Sequence, residues 1–127
     1  MTTFGEYIKD LRKKSEISLR KAAEGIEISP AYMSDIEAGK RNPPNMDKLH
    51  RLAIVLNMNK DQESIMFDLA GANRNEVPSD LQKYIKENRS IQETLRLAKD
   101  KGMENFEWEK VKEFVKEIKT QNQEMLS

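Results

Sequence analysis

The chain of 127 residues has no cysteine, one histidine, one tryptophan, four prolines and five glycines. Without cysteine there can be no disulfide framework, thiolate metal site or sulfur nucleophile. The lone His50 has no second ligand type at metal-binding spacing, so it is read as a solvated helix position and no metal is expected. No secretory leader opens the sequence and no run of about 18 apolar residues is present, which points to a cytoplasmic protein without a membrane partner. An excess of charge is missing too, since 22 Lys and Arg face 22 Asp and Glu. The balance is local as well as global, with 11 basic and 11 acidic residues on each side of the boundary between Ala70 and Gly71. A nucleic-acid role would therefore have to rest on a local patch, because the usual global sign is a strongly basic domain. There is no nucleophile elbow, phosphate-cradling glycine loop or zinc signature, so neither an enzyme nor a cofactor is expected.

What the sequence does contain is helical periodicity. Apolar residues recur at spacings of three and four, and no stretch alternates with period two, which predicts an all-α chain. Phe4, Ile8 and Leu11 mark a first helix with Lys13 and Lys14 in its last turn. Ser18 reads as the N-cap of a short second helix from Leu19 to about Gly25, with Leu19, Ala22, Ala23 and Ile26 turned inward. After the span 25–28, Ser29 and Pro30 start a third helix: a serine side chain can accept from an orphan amide, and proline loses nothing at the first helical position. That helix is expected to end at Ala38, with Gly39 left-handed and Pro43 and Pro44 preventing continuation. Met33, Ile36 and Tyr32 are its core-facing residues. Asn45 caps a fourth helix carrying Met46, Leu49, Leu52, Ala53 and Leu56, and a fifth, from about Asp61 to Ala70, offers Ile65, Met66 and Leu69.

These five helices predict a small domain over residues 1–70. The polar, turn-rich stretch "GANRNEVP" then reads as a linker over 71–78, and residues 79–127 as a small helical segment of three helices, interrupted at Gly102 and frayed over 120–127. So short a segment cannot build a comfortable core of its own. Its stripe of Trp108, Val111, Phe114, Val115 and Ile118 is accordingly expected to meet another surface, as a dimer or partner contact.

The second helix, tight turn and third helix have the dimensions of a helix-turn-helix, and spacing alone suits either a DNA-reading unit or an ordinary αα-corner. Two helix N-termini offer amides to phosphate, and the loop after the third helix adds Lys40, Arg41 and Asn42. From Arg12 to Arg41 there are seven basic residues against five acidic, a slight excess.

The segments "YIKDLRKKSEISLRKAAEGI", "SPAYMSDIEAGKRNPP" and "LHRLAIVL", between Phe4 and about Leu56, resemble the Xre family of helix-turn-helix proteins, the Cro and lambda-repressor type. The likeness covers a little under half the chain. It implies a five-helix lambda-repressor-like fold and an ion pair between Arg12 on the first helix and Glu37 late in the third. It also places base-reading positions at Pro30, Ala31, Tyr32, Ser34 and Asp35. Proline and alanine cannot form bidentate contacts, so readout falls to Tyr32, Ser34 and Asp35, with a methyl contact from Ala31 to thymine. Phosphate contacts are expected from Ser18, Arg20, Lys21, Ser29, Lys40, Arg41 and Asn42. One position departs from the family pattern: Glu27 stands where the turn usually has glycine, and a non-glycine residue with positive φ costs on the order of 1 kcal/mol.

Two functions follow from these readings. One is a sequence-specific regulator of transcription, a repressor working as a homodimer on double-stranded DNA with a palindromic operator, for which a protein or peptide effector is a further candidate partner. The other is an antitoxin or a protein-interaction scaffold built on the same domain.

Overall fold

The computed structural model describes the backbone of residues 2–126 and the side chains of residues 2–119. The fraying expected for 120–127 falls outside the residues whose side chains are described. Eight helices and no strand are present among the described residues, so the fold is all-α. None of these helices is long and apolar enough to cross a membrane.

Helix α1 (Phe4–Lys14) starts at a reciprocal cap in which Thr3 Oγ1 accepts from the Glu6 amide at 3.2 Å and the Glu6 carboxylate accepts from the Thr3 amide at 3.3 Å. Helices α2 (Leu19–Gly25) and α3 (Pro30–Glu37) start where Ser18 and Ser29 suggest. Ala38 is the C-cap of α3, and Gly39 takes a φ of +79°. Helix α4 (Met46–Val55) is capped by Asn45, and α5 (Lys60–Arg74) by a second reciprocal pair, Asn59 with Gln62. Ile8, Ala22, Ala23, Ile26, Met33, Ile36, Leu49, Leu52, Met66 and Phe67 form one buried cluster, which Tyr32, Leu19 and Leu69 border as partly buried residues. Residue 5 has to be glycine for packing. A Cβ there would lie 2.4 Å from the Glu37 carbonyl oxygen, so α1 rests directly on the backbone at the end of α3.

Two expectations are corrected by α5. The helix continues past Ala70 to Arg74, taking in half of the supposed linker, and ends on left-handed Asn75 (φ 56°). Gly71 is tolerated inside it because the chain folds back closely there: a Cβ on Gly71 would lie 2.8 Å from the Glu76 carbonyl oxygen. The buried face also runs through Met66, Phe67 and Ala70, leaving Ile65 exposed where the sequence reading turned it inward.

The chain divides into two compact units, residues 1–84 and 85–127, so the boundary lies inside α6 (Ser79–Glu87) rather than in the stretch 71–78. The second unit contains α7 (Arg89–Asp100) and α8 (Asn105–Leu126), joined by a short turn in which Gly102 has a φ of +71°. The Gln92 side-chain Nε2 donates to the carbonyls of Ile85 and Lys86 at 3.0 and 3.2 Å, satisfying acceptors at the end of α6. Ile91 and Leu95 of α7 and Trp108, Val111 and Val115 of α8 line an open, apolar cleft of about 330 Å³.

Candidate nucleic-acid interface

The tip of α3 is set by its cap. Ser29 Oγ accepts from the Tyr32 amide at 3.1 Å, and the Met33 amide bonds the Ser29 carbonyl at 3.0 Å. Proline has no amide hydrogen, which leaves the Ala31 amide for an outside acceptor. Ser29, Pro30, Ala31 and Ser34 are exposed, whereas Tyr32 and Asp35 are half-buried. Ser18 repeats the device on α2, accepting from the Lys21 amide at 3.0 Å, and Arg20 and Lys21 are exposed beside it.

Arg12 and Glu37 hold α3 to α1. Arg12 Nε donates to Glu37 Oε2 at 2.7 Å and Nη2 to Oε1 at 3.0 Å, while Nη1 donates to the Ile17 carbonyl at 3.0 Å. With side chains only 11% and 5% exposed, the pair is shielded from water, and its planar two-point geometry fixes direction as well as distance. The hydrogen bond to Glu37 holds the Arg12 pKa above its ordinary value, against the opposing effect of burial.

The turn between α2 and α3 does contain a left-handed glutamate, with Glu27 at φ 60°. Helix α4 supplies the support that a glycine would not need. Lys48 Nζ donates to the Ile26 carbonyl at 3.1 Å, and Arg51 pairs with the Glu27 carboxylate at 2.8 Å. Arg51 thereby holds the Glu27 carboxyl below its ordinary pKa, chiefly through that hydrogen bond. Sequence reasoning missed both cations; their spacing of three on the polar face of α4 was the available signal.

Lys40, Arg41 and Asn42 are exposed on the loop after α3, and this loop is tethered. The Lys40 amide bonds the Asp35 carbonyl at 2.9 Å, Asn73 donates to Asn42 at 3.4 Å, and Arg74 donates to the Pro43 carbonyl. Asn73 and Arg74 lie in the extra turn of α5 that the sequence reading assigned to a linker, so their role had no visible signal. The Arg41 guanidinium sits over the Tyr32 ring, 5.1 Å from its centroid. Ser18, Arg20, Lys21, Ser29, Ala31, Tyr32, Ser34, Asp35, Lys40, Arg41 and Asn42 all belong to the first unit, on α2, α3, their N-caps and this loop. Trp108, Val111, Phe114, Val115 and Ile118 belong to the second. Among the described residues no three or more His, Asp or Glu side chains are grouped to hold a metal ion.

Residues 3–64 match the family described as a helix-turn-helix domain. The chain carries a helix-turn-helix domain. A curated relative, the uncharacterized HTH-type transcriptional regulator RghRB of Bacillus subtilis (strain 168), is 27% identical over 106 residues, which cover 84% of this chain and 73% of that protein. The ImmF control region 10 kDa protein of Bacillus phage phi105 is 39% identical over 54 residues, 42% of this chain and 59% of that protein. Among solved structures, a chain of a SinR protein/SinI protein complex aligns with 93% of this chain and 99% of its own length, at a TM-score of 0.46 and 20% identity. The helix-turn-helix domain thus accounts for α1 to α4 and the first turn of α5.

Proposed function

We propose that this protein is a sequence-specific, DNA-binding regulator of transcription, a cytoplasmic repressor that acts as a homodimer. Each copy presents α3 to the major groove of one half of a palindromic operator, the half-sites lying about one helical turn apart. The observation that carries this reading is the exposed leading end of α3, where Ser29, Pro30, Ala31 and Ser34 face solvent beside an uncommitted amide. Ala31, Tyr32, Ser34 and Asp35 read base edges in this arrangement. Ser18, Arg20, Lys21, Ser29, Lys40, Arg41 and Asn42 meet phosphates. Trp108, Val111, Phe114, Val115 and Ile118 provide the contact between copies, or with a protein or peptide effector. The names of the two relatives, a transcriptional regulator and a phage control-region protein, support the same class.

The test is retention on duplex DNA from upstream of the protein's own gene as salt is raised. Binding that falls steeply with salt and prefers this duplex over a scrambled one is the expected result. A chain that binds no duplex at low salt would be a protein-interaction scaffold or an antitoxin acting through its toxin alone.

A further inference from the structure

We propose that Arg41, in addition to the phosphate contact assigned to it above, is a positioning residue for sequence reading that holds Tyr32 in place. This rests on the DNA-reading function proposed above and assigns Arg41 a second part in it. Tyr32 is constrained on several sides: its amide is capped by Ser29, its ring borders the core, and the Arg41 guanidinium lies 5.1 Å from the ring centroid. That distance is within the range in which a cation is attracted to the ring face. A planar guanidinium over a ring can also present N–H groups to an acceptor, which the compact ammonium of lysine on its flexible stem reproduces poorly.

The loop that carries Arg41 is held at both ends, so the contact with the ring does not depend on a swinging arm. Upstream, Gly39 turns the chain at φ +79° and the Gly39 and Lys40 amides bond the carbonyls of Ile36 and Asp35 at 3.1 and 2.9 Å. Downstream, Pro43 and Pro44 are buried, Arg74 donates to the Pro43 carbonyl, and Asn73 donates to Asn42. The arc between these anchors sets Arg41 beside the half-buried tyrosine. The phenol hydroxyl of Tyr32 is then presented to a base edge from a fixed ring, and Arg41 and Tyr32 act as one reading unit.

The experiment uses the full chain. Duplexes are selected from a randomised pool by the wild-type protein, and affinities are then measured for the enriched duplex and its single-base variants over a salt series. Arg41→Lys keeps the charge but replaces the planar guanidinium with an ammonium on a flexible stem, weakening the contact with the ring. It is expected to leave the salt slope unchanged while reducing discrimination at one base position by about two- to fivefold. Tyr32→Phe should lose discrimination at the same position, and adding Arg41→Lys to Tyr32→Phe should cause no further loss there. Lys40→Ala should weaken all duplexes alike and flatten the salt slope. Thermal unfolding of each variant shows whether it remains folded, and the conservative replacements at both positions keep the test open. Wild-type discrimination in Arg41→Lys, or Arg41→Ala weakening every duplex equally, would overturn the proposal. A wild-type protein that enriches no duplex would instead remove the DNA-reading function itself, an outcome distinct from either.

Discussion

Two phenylalanines separate the two halves of this molecule. Phe67 on α5 is 2% exposed inside the cluster that closes the first unit, and Phe114 on α8 is 67% exposed in the second. The contrast extends beyond this pair. The first unit buries side chains from five helices around one core, whereas Ala98 is the one apolar residue buried in the second unit among those described, and Leu97, Phe106 and Val115 are exposed with Phe114. The difference shows what chain length permits, since a unit of roughly forty residues has too little interior to enclose its own aromatic side chains. A monomer in water rarely leaves such a stripe exposed, and this is the physical ground for proposing that a second copy covers it.

The largest expected effects break this comparison most directly. Phe67→Ala should cost about 3–5 kcal/mol in urea unfolding, the lost burial and the residual cavity adding together. Phe114→Ala, in dilute protein, should stay within about 0.5 kcal/mol of wild type, as exposed substitutions do. Its effect should appear instead in sedimentation, as a weaker dimer. Equal losses of unfolding free energy for the two variants, with unchanged association, would mean that the halves do not differ in the way their exposure suggests.

Glycines give a smaller version of the same contrast. Gly25 at the end of α2 is required for space, because a Cβ would lie 2.5 Å from Cγ2 of Val55. Gly25→Ala should therefore destabilise by about 1–3 kcal/mol, and Val55→Ala in the same chain should recover part of that loss. Gly102 has open space around its Cβ position but a φ of +71°, so the requirement there is conformational. Gly102→Ala should cost about 1–2 kcal/mol, Gly102→Asn less, and no trimming of a neighbour should help either variant. Melting curves of these variants, and of Gly102→Ala with a nearby side chain shortened, check both statements. Relief of Gly102→Ala by a smaller neighbour would sink the second.

Much of the first unit was legible because its signals are local. Ser18, Ser29 and Asn45 each cap the helix they precede, and a left-handed Gly39 with two prolines beyond it ends α3 within a residue of the expected place. The failures have a common physical origin, in that contacts between distant positions overrode local composition. Residues 71–74 look like a linker by glycine and asparagine content, yet the helix persists there because Arg74 and Asn73 bond to the loop at Pro43 and Asn42. Glu27 looked like a defect in the turn, yet Lys48 and Arg51 on a later helix support it. In the candidate interface, the caps and loop cations could be read from residue type and spacing. The placement of Arg41 over the Tyr32 ring could not, because it depends on how a tethered loop returns over a helix.

The smallest effects concern one carboxylate in each unit. Glu27 is held below the ordinary glutamate range by Arg51, and Glu109 by Lys112, in both cases chiefly through a side-chain hydrogen bond. A depressed folded-state pKa means that each pair stabilises fully above the unfolded pKa and that its contribution disappears as pH falls through the folded value. Both groups are exposed, so the change in stability is small and weakens with added salt. The partners differ in range: Arg51 reaches Glu27 from another helix, whereas Lys112 stands three residues from Glu109 on α8. Loosening the packing of the first unit, as in Gly25→Ala, should therefore raise the Glu27 titration toward its ordinary value and leave Glu109 where it is. Arg51→Ala should do the same by removing the partner, and Lys112→Ala should move Glu109 alone. Carboxyl chemical shifts followed from neutral to acidic pH report each site separately. If Glu27 were unmoved in Arg51→Ala, the turn would be supported by Lys48 without the ion pair.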